Sequence, residues 1–167
     1  MRYRFANRAL SVNLVLFVGC SRRKLISSVP EPALELYRGG GVPEIRDCVD
    51  RYPLLRERVF ILSAKYGLLS ANERIASYDL ILTLEMALAM RRTVWADVQR
   101  RVLQRFEPEV VMVLAEPLYF TLVSGLLEHE PAARVIWEPD IRRGKHRILG
   151  LLEAWGSELA ERNQRRP

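Results

Sequence analysis

The sequence predicts an α/β fold, a three-layer sandwich whose mostly parallel sheet of about four strands carries helices on both faces. Three observations predict it. Apolar runs of strand length alternate with stretches of helical periodicity. The runs are continuous rather than alternating, as in strands buried on both faces. Their order, strand then helix repeated along the chain, calls for right-handed crossovers between parallel strands.

Val12–Val18 is the first such run, closed by Gly19. It follows Arg2, Arg4 and Arg8, and Phe17-Val18-Gly19-Cys20 faintly resembles a lipoprotein cleavage site. The run is short, contains Asn13 and meets Ser21-Arg22-Arg23-Lys24 at once, so it reads as a strand. Leu25–Val42 is irregular, with Pro30, Pro32 and the triplet Gly39-Gly40-Gly41. Pro43–Tyr52 reads as a short helix with proline in its first turn. Arg58–Ala64 is the second strand. Thr83–Phe106 is the longest helix, with an expected core stripe of Leu84, Leu88, Trp95, Val98, Val102 and Phe106. Arg91, Arg92, Arg100 and Arg101 fall off that stripe. Glu109–Ala115 is the third strand, Pro117–Leu127 a helix, and Arg134–Trp137 a shorter fourth strand. A last helix starts near Arg143 and turns Ile148, Leu152, Trp155 and Leu159 inward. Residues 1–167 read as one domain, with 1–11 and 162–167 expected to be flexible ends.

The composition bounds the function. Of 167 residues, 49% are hydrophobic and 28% charged, which suits one buried core and a polar surface. No apolar run reaches the ~18 residues needed to cross a bilayer. A net charge of +6 favours a nucleoside, nucleotide or nucleic acid as partner, and no membrane. Cys20 and Cys48 form no disulfide framework, and with His129 and His146 they lack ligand spacing. No metal or cofactor is expected, and a reduced cytoplasmic setting is the simplest reading.

Ligands of parallel sheets bind outside the carboxyl ends of the strands. The predicted order therefore brings Gly19–Lys24, Ala64–Asp79, Glu116–Tyr119 and Glu138–Lys145 to one edge. Among 26 Lys plus Arg only three are lysines, Lys24, Lys65 and Lys145, and each follows a predicted strand end. A lysine can be depressed in pKa enough for nucleophilic or base work, which arginine cannot. Around them lie Cys20, a thiol among cations, and the carboxylates Asp79 and Glu73, the candidates for base work. Tyr66 and Tyr78 are placed to stack on a base, and Gly67 permits a sharp turn. Gly19, Ser21, Ser63, Glu116 and Lys145 complete the expected binding surface. Several familiar motifs fail here. A P-loop needs Gly before its Lys and Ser or Thr after it, where this chain has Arg23 and Leu25. A cysteine-phosphatase loop needs Arg where Ile26 stands. Gly-x-Gly-x-x-Gly and Gly-x-Ser-x-Gly are absent.

Gly-Cys-Ser-x-x-Lys-Leu at 19–25, Leu36-Tyr37, Leu-Ser-Ala-Lys-Tyr-Gly-Leu-Leu at 62–69 and Tyr78-Asp79 resemble the motifs of an uncharacterised bacterial and phage domain family. Arg143-Gly144-Lys145 with Leu151-Leu152 resembles that family's end helix, so the likeness spans residues 14–152. It adds Tyr37 to the candidate ligand-binding residues. A more distant likeness is to the lysine-bearing catalytic domain of archaeosine synthase, whose fold is akin to uracil-DNA glycosylases. That domain carries Pro-Cys-Ser-x-x-Lys-Pro-Tyr. Here Gly19 and Leu25 replace the two prolines. The resemblance implies that Lys24 attacks a modified base. The expected function is a nucleobase- or nucleotide-processing enzyme of glycosylase type; the alternative is a non-catalytic nucleic-acid or nucleotide binding module.

Overall fold

A computed structural model describes residues 13–165. Among them the sheet has five strands in the order β4 (Gly67–Ser70), β3 (Val59–Ser63), β1 (Leu14–Gly19), β6 (Val110–Leu114), β7 (Arg134–Glu138). β1 lies at its centre, buried along its whole length. It pairs in parallel with β3 on one side and β6 on the other, and β6 pairs in parallel with β7. A small two-stranded ribbon of β2 (Glu31–Pro32) and β5 (Arg74–Ile75) sits apart from the sheet.

Period-two burial splits β1 between two cores. Leu14, Leu16 and Val18 face α1 (Ala33–Leu36), α2 (Val42–Arg51) and α6 (Ile141–Gln164). Val15 and Phe17 face α3 (Leu84–Val98) and α5 (Pro117–Val123). The helix starts are encoded locally. Pro43 and Pro117 occupy first turns, Thr83 accepts the Met86 N–H at 3.2 Å, and Asp140 accepts from the N–H groups of Arg142 and Arg143.

Four expectations are corrected. The sheet gains an antiparallel edge strand, β4 (Gly67–Ser70), which folds back on β3 through the turn at Ala64–Tyr66. Gly67, at φ 73°, makes that reversal. Leu25–Val42 is less irregular than expected, since it holds β2 and α1. The expected stripe holds at Val98, Val102 and Phe106, which are buried, but not at the start of α3: Leu84 and Leu88 are exposed, while Ala87 and Val94 point inward. The inward residues are small because α3 packs close. A Cβ on Gly67 would come within 2.9 Å of Val94, and one on Gly125 within 2.5 Å of Trp95. After Val98 the helix widens into a π turn at Gln99–Leu103 before α4 (Gln104–Phe106), and Val102, Leu103 and Phe106 lie in the core. Finally, α6 begins at Ile141 and continues through residues 162–164. The expected flexible end 1–11, with Val12, lies outside the described residues, as do 166 and 167.

No helix among the described residues is long and apolar enough to cross a membrane.

Candidate functional site

The chain leaves β1 towards β3 on one side and later returns, through α3, to β6 on the other. This reversal opens a crevice beyond the carboxyl ends of β1 and β6. A cleft of about 370 Å³ occupies it, lined by Gly19, Cys20, Ser21 and Arg22 from the β1 end and Glu116, Leu118 and Tyr119 from the β6 end. Leu80–Leu82, Gly40 and Ile141 complete the wall. Gly19 lets the chain pass close to α5, since a Cβ there would press on Ala115 at 3.3 Å.

The loop after β1 is clamped rather than free. The Gly39 N–H donates to Ser21 Oγ at 3.0 Å, and Ser21 Oγ donates to the Arg23 carbonyl at 2.8 Å. Lys24 forms an antiparallel bridge with Tyr37, while Leu25 N–H donates to the Leu36 carbonyl and Arg38 N–H to that of Arg23. These bonds fix the backbone at Lys24, and its ammonium donates to the Arg22 carbonyl at 3.3 Å.

Behind the cleft wall runs a continuous network of hydroxyls and one thiol. Tyr37, fully buried, donates to Ser63 Oγ at 3.2 Å and lies 2.9 Å from the Tyr78 hydroxyl. Ser63 Oγ is 2.8 Å from the same Tyr78 hydroxyl and also accepts the N–H groups of Lys65 and Tyr66. Tyr78 donates towards Cys20 Sγ at 3.7 Å, and Cys20 Sγ lies 3.1 Å from the Tyr119 hydroxyl. Burial, then the proximity of Cys20, pushes the phenols of Tyr37, Tyr78 and Tyr119 well above the usual range. All three stay protonated as hydrogen-bond donors at neutral pH.

Two lysines converge on this network. The Lys24 ammonium sits 4.1 Å from the ring centre of Tyr78 and 5.7 Å from that of Tyr37. Lys65 lies 5.1 Å from Tyr66 and 5.7 Å from Tyr78. The Tyr78 ring thus has two cations within about 6 Å of its centre, each in a cation–π contact. Burial lowers the pKa of Lys24, with Cys20 and Asp79 opposing the shift. Lys24 stands beside the cleft, one side chain behind its Cys20 wall.

The remaining candidates are distributed differently. Gly19, Cys20, Ser21 and Glu116 line the cleft. Tyr37, Ser63 and Tyr78 form the network, with Tyr66 edge-on to Tyr78 at 5.4 Å and Gly67 in the adjoining turn. Asp79 is exposed next to Tyr78. Lys145 faces a neighbouring hollow that shares Gly40, Glu116 and Ile141 with the cleft, but its ammonium is held by Glu44 at 2.6 Å. Glu73 does not join them. It follows Ser70, which pairs with Phe60 at the far end of β3, and its carboxylate accepts from Arg101 at 2.8 Å and from the Ser70 N–H. That carboxylate ties the edge strand to the long helix.

Tyr119 is the main residue that reading the candidates singly overlooks. Its signal was its place two residues after Pro117, in the first turn of a helix that starts at a strand end. The apolar wall of Leu80, Ile81 and Leu82 was also overlooked, since three apolar residues after a Tyr-Asp pair, outside any periodic element, read as ordinary loop.

Residues 15–139 match the model of a family of unknown function (DUF6884). No curated protein matches the chain, so the likeness to archaeosine synthase rests on its residue motif alone.

Proposed function

The chain belongs to a family of unknown function, DUF6884, and we propose that it is an enzyme that breaks the N-glycosidic bond of a nucleoside or nucleotide, with Lys24 as the working amine. One observation carries this reading: an amine with a lowered pKa is clamped over Tyr78, whose hydroxyl leads through Cys20 to a cleft of about 370 Å³ at the switch point of the sheet. A lowered pKa raises the fraction of neutral, nucleophilic amine.

The lining suits such a ligand. Leu80, Leu82, Leu118 and Tyr119 offer an apolar wall for a flat base. Arg22 is available to a phosphate, and Glu116 can accept from a ribose hydroxyl or a ring N–H. In the reaction the Lys24 side chain turns from the Tyr78 ring past Cys20 into the cleft, and its Nζ forms a bond to the anomeric carbon as the bond from that carbon to the base breaks. The electron pair leaves with the base, which is steadied by a hydrogen bond from Tyr119 and takes up the proton released by the amine. Asp79 balances the positive charge that builds on the sugar. Opening of the sugar ring gives an imine, and water hydrolyses it to free sugar and regenerated amine.

A panel of nucleosides, nucleotides and short DNA or RNA tests the proposal by thermal shift and by chromatography of released base. A mononucleoside or mononucleotide should raise the melting temperature by mass action and yield free base. Borohydride should trap the sugar on Lys24, and Lys24→Met should abolish release. If only long polymers shift melting, and only at low salt, the enzyme reading fails and a binding module replaces it. The arginine face gives that alternative less support than the sequence implied, because Arg100 is paired with Asp97 and Arg101 with Glu73.

A further inference from the structure

We infer that this protein forms a two-fold symmetric dimer through helix α3, with Leu88 at the centre of the interface. The inference is independent of the reaction proposed above. It rests on an apolar ridge that the fold leaves bare and on the charges beside it.

Leu84 is 58% exposed and Leu88 56%, one helical turn apart on the same face. Ile81, 58% exposed, and Leu80, 40%, extend the ridge to the lip of the cleft. Beside it runs a groove of about 250 Å³ lined by Leu88, Arg91, Arg92, Trp95, Gly125 and Glu128. Gly125 keeps the groove open, since its bare backbone lies against the Trp95 ring.

The charges select a second copy as the occupant. Glu85, Arg91 and Arg92 are exposed and make no ion pair among the described residues. Glu85 and Arg92 are two helical turns apart and share one flank of the ridge. They lie equally far from the midpoint between Leu88 and Ala89. An antiparallel two-fold pairing about that midpoint sets Glu85 of each copy opposite Arg92 of the other. The same operation lays Leu84 of one copy into the other's groove, against the Arg91 stem and the Trp95 ring. A self-complementary pattern of this kind is what an isologous interface requires, because each contact must occur twice. A partner of different sequence would have no reason to match the spacing of both charges.

Sedimentation velocity and light scattering of the full chain test this across a concentration series. The wild type should move from monomer to dimer within the micromolar range. Leu88→Glu should be monomeric at every concentration while keeping its circular dichroism and, at concentrations where the wild type is also monomeric, its melting temperature, since Leu88 is exposed in the monomer. Glu85→Arg places two like-charged pairs in the interface and should weaken dimerisation about tenfold or more; Arg92→Glu should do the same. The double reversal, Glu85→Arg with Arg92→Glu, should restore the wild-type constant to within about threefold, as expected for compensating pairs. A wild type that stays monomeric to hundreds of micromolar overturns the proposal. So does a double reversal that is no better than its parents.

Discussion

Lys24 holds a positive charge 4.1 Å from the centre of the Tyr78 ring, where burial works against that charge. Its folded-state pKa is lowered, so between that value and 10.5 the unfolded chain binds more protons, and this group's contribution to stability rises with pH across the window. Replacement of Lys24 by Met should therefore abolish turnover without lowering the midpoint of urea unfolding at neutral pH. A large fall in that midpoint would make Lys24 a structural residue. The phenols have the opposite sign. Tyr37, Tyr78 and Tyr119 have raised folded-state pKa values, so their contribution is complete below about pH 10, the ordinary phenol value, and is lost as pH rises beyond it. Ultraviolet titration should show these three tyrosines ionising only as the protein unfolds. Tyr37→Phe leaves hydroxyls of Ser63 and Tyr78 without one partner in a buried setting. It should cost about 1–3 kcal/mol, the usual range for an orphaned buried polar group, read from urea unfolding.

At the scale of elements, the turn between β3 and β4 carries the most position-specific demand. Gly67 has φ 73°, and a Cβ there would meet Val94 of α3 at 2.9 Å. Gly67→Ala combines left-handed strain with a clash against a packed helix and should destabilise the fold by about 1–3 kcal/mol, measured by chemical unfolding. The same element displaces Lys65, Tyr66 and Tyr78 relative to one another, so activity should fall more steeply than stability. The motif around 63–69 was legible as a motif, but its strand was not. Gly67–Ser70 is only four residues long, and such a run gains strand character solely by pairing with β3. Only the start of the α3 stripe, Leu84 and Leu88, was misread, for a related reason. Leu84 and Leu88 have the right period and hydrophobicity for a core face, and only the close approach of β4 and α5 selects the neighbouring face of Ala87 and Val94.

At the scale of the whole molecule, β1 joins both cores and the cleft. Phe17, fully buried, packs on Phe60 at 5.9 Å between ring centres. Phe17→Ala should cost about 3–5 kcal/mol, as truncation of a buried aromatic does, and scanning calorimetry should show both helical layers melting together. Two independent transitions would mean that the layers on the two faces of the sheet are not one cooperative unit. By itself the sequence determined the layered α/β class, the central parallel strands and which strand-end loops meet around the cleft. Continuous apolar runs, helix caps and strand order are local signals, and strand-end chemistry follows from topology. Only the tertiary structure decided that Tyr119 reaches Cys20, that Glu73 is engaged elsewhere by Arg101, and which face of α3 stays bare. Those outcomes depend on side chains far apart in the chain meeting within a few ångströms, a distance that periodicity and composition do not encode.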